Sequence, residues 1–219
     1  ITLTNVNFRL GPRLNGGNKY QQFEGAFESK VISKIAFQGF LHPPTKQWKA
    51  KLSATNAQLS SGLIKLLPTD MQDQMKELRA VSGKINLKVE AQGLATLEEI
   101  PQIQIDAQVE QLTIDDNRLP FPIQNGSFDF QSSNAQGNEF LSIKNASARF
   151  GEAQFKCDYW HRGFILAPEQ CKLNGRLDNF NFSNQERLIK WFPEYCTKFC
   201  DEYSPSGTSD IAFELEYDG

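Results

Sequence analysis

The side chains best suited to chemistry are few in this chain, and poorly spaced for it. Acids stand side by side at Glu98–Glu99, Asp115–Asp116 and Asp201–Glu202. Two carboxylates do acid–base work when a pocket drives their pKa values apart. Each of these pairs falls at the boundary of an expected strand or helix, where acids are usually solvated. A glycosidase needs its two acids facing across a cleft, and no pair here suggests that. The chain has two histidines, His42 before Pro43–Pro44 and His161 after Trp160. A Ser/His/Asp hydrolase would depend on one of them, yet the Gly-x-Ser-x-Gly elbow is missing. No phosphate-loop or dinucleotide signature appears.

The four cysteines, Cys157, Cys171, Cys196 and Cys200, fall in the second half of the chain. None forms a Cys-x-x-Cys pair, the usual zinc spacing. Cys196 and Cys200 are four apart and share a face if that segment is helical. Cys157 with His161 offers two metal-ligand types. Cys157 and Cys171 flank a hairpin-like loop and can bridge if their Cα atoms approach within about 7 Å. Buried thiols acting as small hydrophobes are the third option. Taken with the acids and histidines, these residues predict a non-enzyme with no cofactor and no metal.

Composition points the same way. The chain holds 17 Phe against 5 Tyr and 3 Trp. Phe-rich, His-poor sequences are better suited to burying or binding apolar matter than to moving protons. Acids outnumber bases 26 to 23, so the basic excess of a nucleic-acid binder is absent. No apolar run reaches the roughly 20 residues of a membrane helix. The chain begins at Ile1 without an initiator Met or signal-peptide pattern and ends straight after a strand-like run. It reads as a fragment cut from something longer.

The elements that must position these residues are mostly strands. Ile85, Leu87, Val89 and Ala91 alternate with polar residues, as do Ile103, Ile105, Ala107 and Val109. The phase then slips to Leu112 and Ile114, which predicts a β-bulge near Gln111. Phe128 with Phe130, then Phe155, Cys157 and Tyr159, and finally Ile211, Phe213, Leu215 and Tyr217 repeat the pattern. Turn signals separate the runs at Asn15–Gly17, Pro43–Pro44, Asn125–Gly126, Asn134–Gly137 and Pro205–Gly207. The glycosylation-type triplets at Asn125, Asn145 and Asn181 read as turn chemistry. Short helices are expected at 60–68, at 69–79 (Met71, Met75 and Leu78 on one face) and near 184–200.

Leu63-Ile-Lys-Leu-Leu-Pro68 matches Leu188-Ile-Lys-Trp-Phe-Pro193 at an offset of 125 positions. Leu52 and Leu177 keep that offset, while Gly83 and Gly207 stand 124 apart. Repeats of this kind stack along one axis. The expected organisation is preceding strands at 1–39, a first unit at 40–164 and half of a second unit at 165–219.

Between Gly83 and Gly151, an alternating strand ending in Gly leads to a second strand. Leu119-Pro-Phe-Pro-Ile-Gln-Asn-Gly126, Ser127-Phe-Asp-Phe130 and Leu141-Ser-Ile-Lys-Asn-Ala-Ser-Ala-Arg-Phe-Gly151 follow. This arrangement resembles the bacterial AsmA-like envelope proteins, a superfamily that includes TamB-like bridges. The resemblance covers most of residues 40–219 and leaves out the first forty residues and the cysteines. It implies a periplasmic segment of an inner-membrane-anchored protein, with the anchor outside this chain. It further implies a curved, gutter-like sheet whose apolar face carries lipid acyl chains, in lipid transport or outer-membrane assembly. The inward positions would be Ile85, Leu87, Val89, Ile103, Ile105, Val109, Phe128, Phe130, Phe213 and Leu215. An oxidising periplasm favours a Cys157–Cys171 disulfide over metal.

The expected fold is therefore mainly β with a few short helices: a long, curved, elongated antiparallel sheet. The alternative is a β-sandwich module that binds carbohydrate or protein. The excess of Phe over Tyr and Trp favours the groove.

Overall fold

The computed structural model describes residues 3–15, 18–29, 32–60, 62, 76–96, 99–119, 121–164, 167–182, 198 and 202–219. Eleven strands account for nearly all of them. In order they are β1 (Leu3–Asn15), β2 (Asn18–Ser29), β3 (Ile32–His42), β4 (Gln47–Ser60), β5 (Leu78–Leu94) and β6 (Gln102–Asp116). There follow β7 (Ile123–Ala135), β8 (Asn138–Phe150), β9 (Ala153–Phe164), β10 (Ala167–Asn181) and β11 (Thr208–Asp218). All eleven lie in one open, curved sheet, in chain order, each antiparallel to its neighbours. Period-two sequences with short polar connections leave the chain no need to cross over.

Three turn signals sit where the spacing put them. Pro43 to Lys46 join β3 to β4, with Lys46 at φ 57°. Gln136–Gly137 join β7 to β8, with Gly137 at φ 77°. Gly207, at φ 89°, leads into β11. Asn125–Gly126 is different. It lies inside β7 rather than between strands, because Asn125 (φ 51°) takes up a register shift between Gln124 and Ser127.

Asn125 is one of six such positions. Asn5, Asn56, Gln111, Asn125, Asn145 and Asn179 all have φ between 49° and 58°, and each falls at a register shift. Gln111 is the bulge expected from the phase slip. Asn145, read as turn chemistry, is a bulge within β8. All six lie toward the end of the sheet where β4 leads to β5, β6 to β7, and β8 to β9. Bulges bend a strand and increase its local twist, so this line of six curls one end of the sheet. Three of the bulges share a device. The N–H of Asn56 donates to Asn86 Oδ1 at 2.9 Å, that of Asn145 to Asp158 Oδ1 at 2.7 Å, and that of Asn179 to Asp210 Oδ1 at 3.0 Å. In each case the acceptor stands on the following strand.

Asn56 and Asn179 are 123 positions apart, and Asn86 and Asp210 are 124 apart. The β4–β5 and β10–β11 pairs thus carry the same feature. By the bulges, Leu177 aligns with Ala54 rather than with Leu52.

Most of the expected helical segments, including Met71, Met75 and the Leu63–Pro68 and Leu188–Pro193 matches, lie outside the described residues. Leu78 and Arg79, expected on a helix, belong to β5. Leu78 is paired with Asp116 of β6, and that ladder overrides a helical period carried by only three apolar residues.

A sandwich would need a second sheet packed about 10 Å away; the described residues form one. Few apolar side chains among them are buried: Ala54, Ala57, Val109, Ala153 and Phe180. Ala153 and Phe180 anchor a small cluster with Phe121, Phe150, Leu177, Phe182 and Ile211 at the bulged end. Phe121, from the Leu119-to-Pro122 connection, meets Phe150 edge-on at 5.5 Å and packs on Gly151.

Candidate functional site: an open apolar face

Register builds the site. One cross-strand row runs Phe8, Gly25, Phe37, Leu52, Val89, Ile105, Ser132, Leu141, His161, Cys171 and Tyr217, one residue from every strand. A second runs Phe27, Ile35, Ala54, Leu87, Ala107, Phe130, Ile143, Tyr159, Leu173 and Leu215. Because strand side chains alternate between faces, both rows stand on the same side of the sheet.

The ten sequence-predicted positions share that side. Ile85, Val109 and Phe128 form a third row, and Ile103 stands opposite Ala91. Phe213 reaches across to Gly175, two rungs from Leu215. They differ in exposure. Val109, mid-sheet, is 4% exposed, whereas Leu215 on the last strand is 51% exposed. Phe8 on the first strand is 58% exposed. The face is crowded in its middle and open at both margins.

Beyond the ten, β1 to β3 extend the face through Phe8, Phe23, Phe27 and Phe37. Their signal is the repeated Phe-x-Gly in Phe23-Glu-Gly25 and Phe37-Gln-Gly39. The two motifs pair reciprocally, Phe23 opposite Gly39 and Phe37 opposite Gly25. Each ring lies over the glycine facing it, and Phe213 does the same over Gly175. A missing side chain makes room for a ring, which covers backbone that water would otherwise reach.

The reverse face is charged. Lys49 and Lys51 both reach Glu90, at 3.3 and 2.5 Å. These contacts, led by the Lys51 hydrogen bond, hold the Glu90 carboxyl below its usual range. A depression of about 650 Å³ on this side is lined by Arg9, Glu24, Gln38, Lys51 and Glu90. Its charges are matched: Arg9 meets Glu24 at 3.7 Å.

The residues considered for chemistry do not converge. Asp115 and Asp116 are consecutive in β6 and so point to opposite faces. Asp116 is buried and gripped by Arg118, Nε to Oδ1 at 2.8 Å and Nη2 to Oδ2 at 2.5 Å. That guanidinium brings its pKa to about 2. Glu99 Oε2 accepts the Leu94 N–H at 3.2 Å, and Glu202 is exposed. Glu98, Asp201, Cys196 and Cys200 lie outside the described residues. His42 Nδ1 meets Thr45 Oγ1 at 2.6 Å in the β3–β4 turn.

The Cys157–Cys171 disulfide is corrected. The hairpin forms as expected, from β9 and β10, but its register sets Cys157 against Gly175 and Cys171 against His161. The two cysteines are four rungs apart along the ladder, about 13 Å at 3.3 Å per residue, far beyond disulfide reach. Both are free thiols. Burial, with the Asp158 carboxylate, pushes the Cys157 thiol up. His161 is 2% exposed, with Nδ1 3.2 Å from the Tyr159 hydroxyl. Among the described residues, no group of three or more His, Cys, Asp or Glu is placed to hold a metal. No helix among them is long and apolar enough to cross a membrane.

The described residues thus define a single-layer antiparallel meander with one charged face and one apolar face. No family model, curated protein or solved structure matches the chain.

Proposed function

We propose that this chain is a non-enzymatic segment of an AsmA-like cell-envelope protein, and that its apolar face holds lipid acyl chains. In this reading it works in the periplasm, on a protein anchored to the inner membrane by a segment elsewhere. There it serves as a groove or scaffold in lipid transport or outer-membrane assembly. The observation that carries the proposal is the pair of apolar rows that cross the sheet with no second sheet against them among the described residues. The molecule exposes 15050 Å², where a compact monomer of 24.8 kDa exposes about 10,200 Å². Eleven strands spaced about 4.8 Å apart make a face about 50 Å wide. Apolar patches beyond a few hundred Å² mark an interaction surface. Phe, Leu, Ile and Val match a ligand that needs area and no hydrogen bonds, which describes a hydrocarbon chain.

Native mass spectrometry of the protein purified from a bacterial host, with extraction of bound lipid, tests this. Wild-type protein should carry phospholipid or another acyl lipid. Leu87→Asp and Phe130→Asp, charges placed mid-face, should strip it. A wild-type protein that is monomeric, folded and free of lipid refutes the reading.

A further inference from the structure

The end of the sheet opposite the bulges carries a feature that neither face explains. Strand ends beside the β3–β4, β5–β6 and β7–β8 connections surround an open depression of about 740 Å³. Small-ligand sites commonly measure about 300–1,000 Å³. Both faces contribute to it. Trp48 and Gly93 oppose each other on the apolar side, while Gln92 and Gln102 oppose each other on the reverse.

Trp48 is half-buried, and its indole N–H has no partner among the described residues. An indole in such a place usually pairs that group. Gly93 is not among the residues with positive φ, so its backbone does not demand glycine. The missing side chain keeps space beside the indole, where a Cβ would lie 3.6 Å from Trp48 Nε1. Ile100, 82% exposed, adds apolar surface at the rim.

The polar groups fall into two sets. Asn134 braces the site: its Nδ2 donates to the Pro101 carbonyl at 3.0 Å and its Oδ1 accepts the Ile103 N–H at 2.5 Å. That holds the loop that carries Ile100. Gln92 Nε2 donates to Gln102 Oε1 at 3.0 Å, which leaves Gln92 Oε1 to accept and Gln102 Nε2 to donate. The side chains of Gln136 and Glu139 have no partner among the described residues.

Charge narrows the ligand. The lining holds two carboxylates, Glu99 and Glu139, and one cation, Lys49. That lysine is engaged by Glu90 at 3.3 Å. A phosphate, sulfate or carboxylate would therefore meet unmatched negative charge. A hydrocarbon would cover the amides and leave them unpaired. A sugar does neither. Its hydroxyls donate and accept, as amides do, and the C–H face of its ring lies flat on an indole.

We infer that this depression binds a neutral saccharide, with Trp48 as the stacking platform and Gln136, Glu139 and the Gln92–Gln102 pair as hydrogen-bonding partners. The site stands apart from the lipid reading, since nothing in it requires an acyl chain. Trp48 lies at the end of the apolar side, so it has room for a free glycan and for the sugar head of a lipid, and the experiment separates the two.

The probe is an array of neutral, sulfated, phosphorylated and sialylated oligosaccharides. Wild-type protein should retain one or more neutral glycans at least about tenfold more strongly than their charged counterparts. Each neutral glycan that binds is titrated by calorimetry as the free sugar and as its octyl glycoside. Tighter binding of the glycoside assigns the sugar to a lipid and equal binding assigns it to a free glycan; both support the site. Trp48→Ala should weaken the free sugar at least about tenfold, and Gln136→Ala and Glu139→Gln about threefold or more each. Circular dichroism checks their folding, and Trp48→Phe, which keeps a platform without the N–H, should give an intermediate loss. Three results overturn the inference: no neutral glycan binds, charged glycans are preferred, or binding is unchanged in Trp48→Phe, Gln136→Ala and Glu139→Gln.

Discussion

Replacing Gly39 with Ala tests whether the rings on the apolar face depend on the glycines beneath them. A Cβ at Gly39 would stand 2.5 Å from the carbonyl oxygen of Lys49 and inside the Phe23 ring. The ring must leave, and the Lys49 oxygen, held in the β4 ladder, must also give way. Phe buries about 150–250 Å². Losing roughly 80 Å² of that cover at about 25 cal/mol per Å² costs at least about 2 kcal/mol, with strain in the ladder added to it. For a chain of this size, that lowers the thermal midpoint by about 4–8 °C. Gly11→Ala is the control. Nothing lies within 4 Å of its added Cβ, so a narrower unfolded ensemble should raise stability by about 0.4–1 kcal/mol. Circular dichroism melts of Gly39→Ala, Gly11→Ala, Phe23→Ala and the Phe23→Ala/Gly39→Ala pair complete the comparison. With the ring gone, Ala at position 39 has less to displace, so the double change should cost less than the sum of the singles. If Gly39→Ala melts with Gly11→Ala, or the pair is additive, the ring-over-glycine argument fails.

Three further outcomes follow from the same geometry. Asp116 has its pKa lowered from 3.8 to about 2 by Arg118, so its stabilising effect is complete above pH 3.8 and is lost as pH falls through about 2; urea midpoints measured across that window should fall less steeply in Asp116→Asn. Asn145 holds φ 53° at a bulge, so the β-branched Asn145→Val should cost about 1–2 kcal/mol more than Asn145→Gly in thermal melts, since both lose the Asn145 Nδ2 bond to Asp129 Oδ2 and only Val is strained in the left-handed backbone. Cys157 and Cys171 are free, so both should be alkylated in unfolded protein without reductant, and mass spectrometry should show Cys157 reacting more slowly than a model thiol at pH 8 in the folded protein.

The strands were legible because their period is two and their apolar set is one-sided. Ile85 to Ala91 and Ile103 to Val109 needed only alternation to be assigned a common face. The first three strands were harder. Their glycines at 25 and 39 interrupt the apolar count, and only the pairing shows Phe37 and Phe23 filling the gaps. Asn125 and Asn145 misled for a related reason. Left-handed Asn is as much at home in a bulge as in a turn, and only the acceptor on the next strand, Asp158 for Asn145, separates the two. Cys157 and Cys171 looked bridgeable because a hairpin joins them, but a hairpin's register decides which residues meet.

The order of the strands has a kinetic meaning. Every ladder joins segments adjacent along the chain, so no pairing has to wait for distant ends to meet. Closing small loops costs little entropy, and topologies of this kind fold fast for a β protein. With no closing pair between first and last strand, unfolding can begin at either margin and run inward. Amides of β1 and β11 should exchange first and those of β6 last, a gradient set by position in the chain.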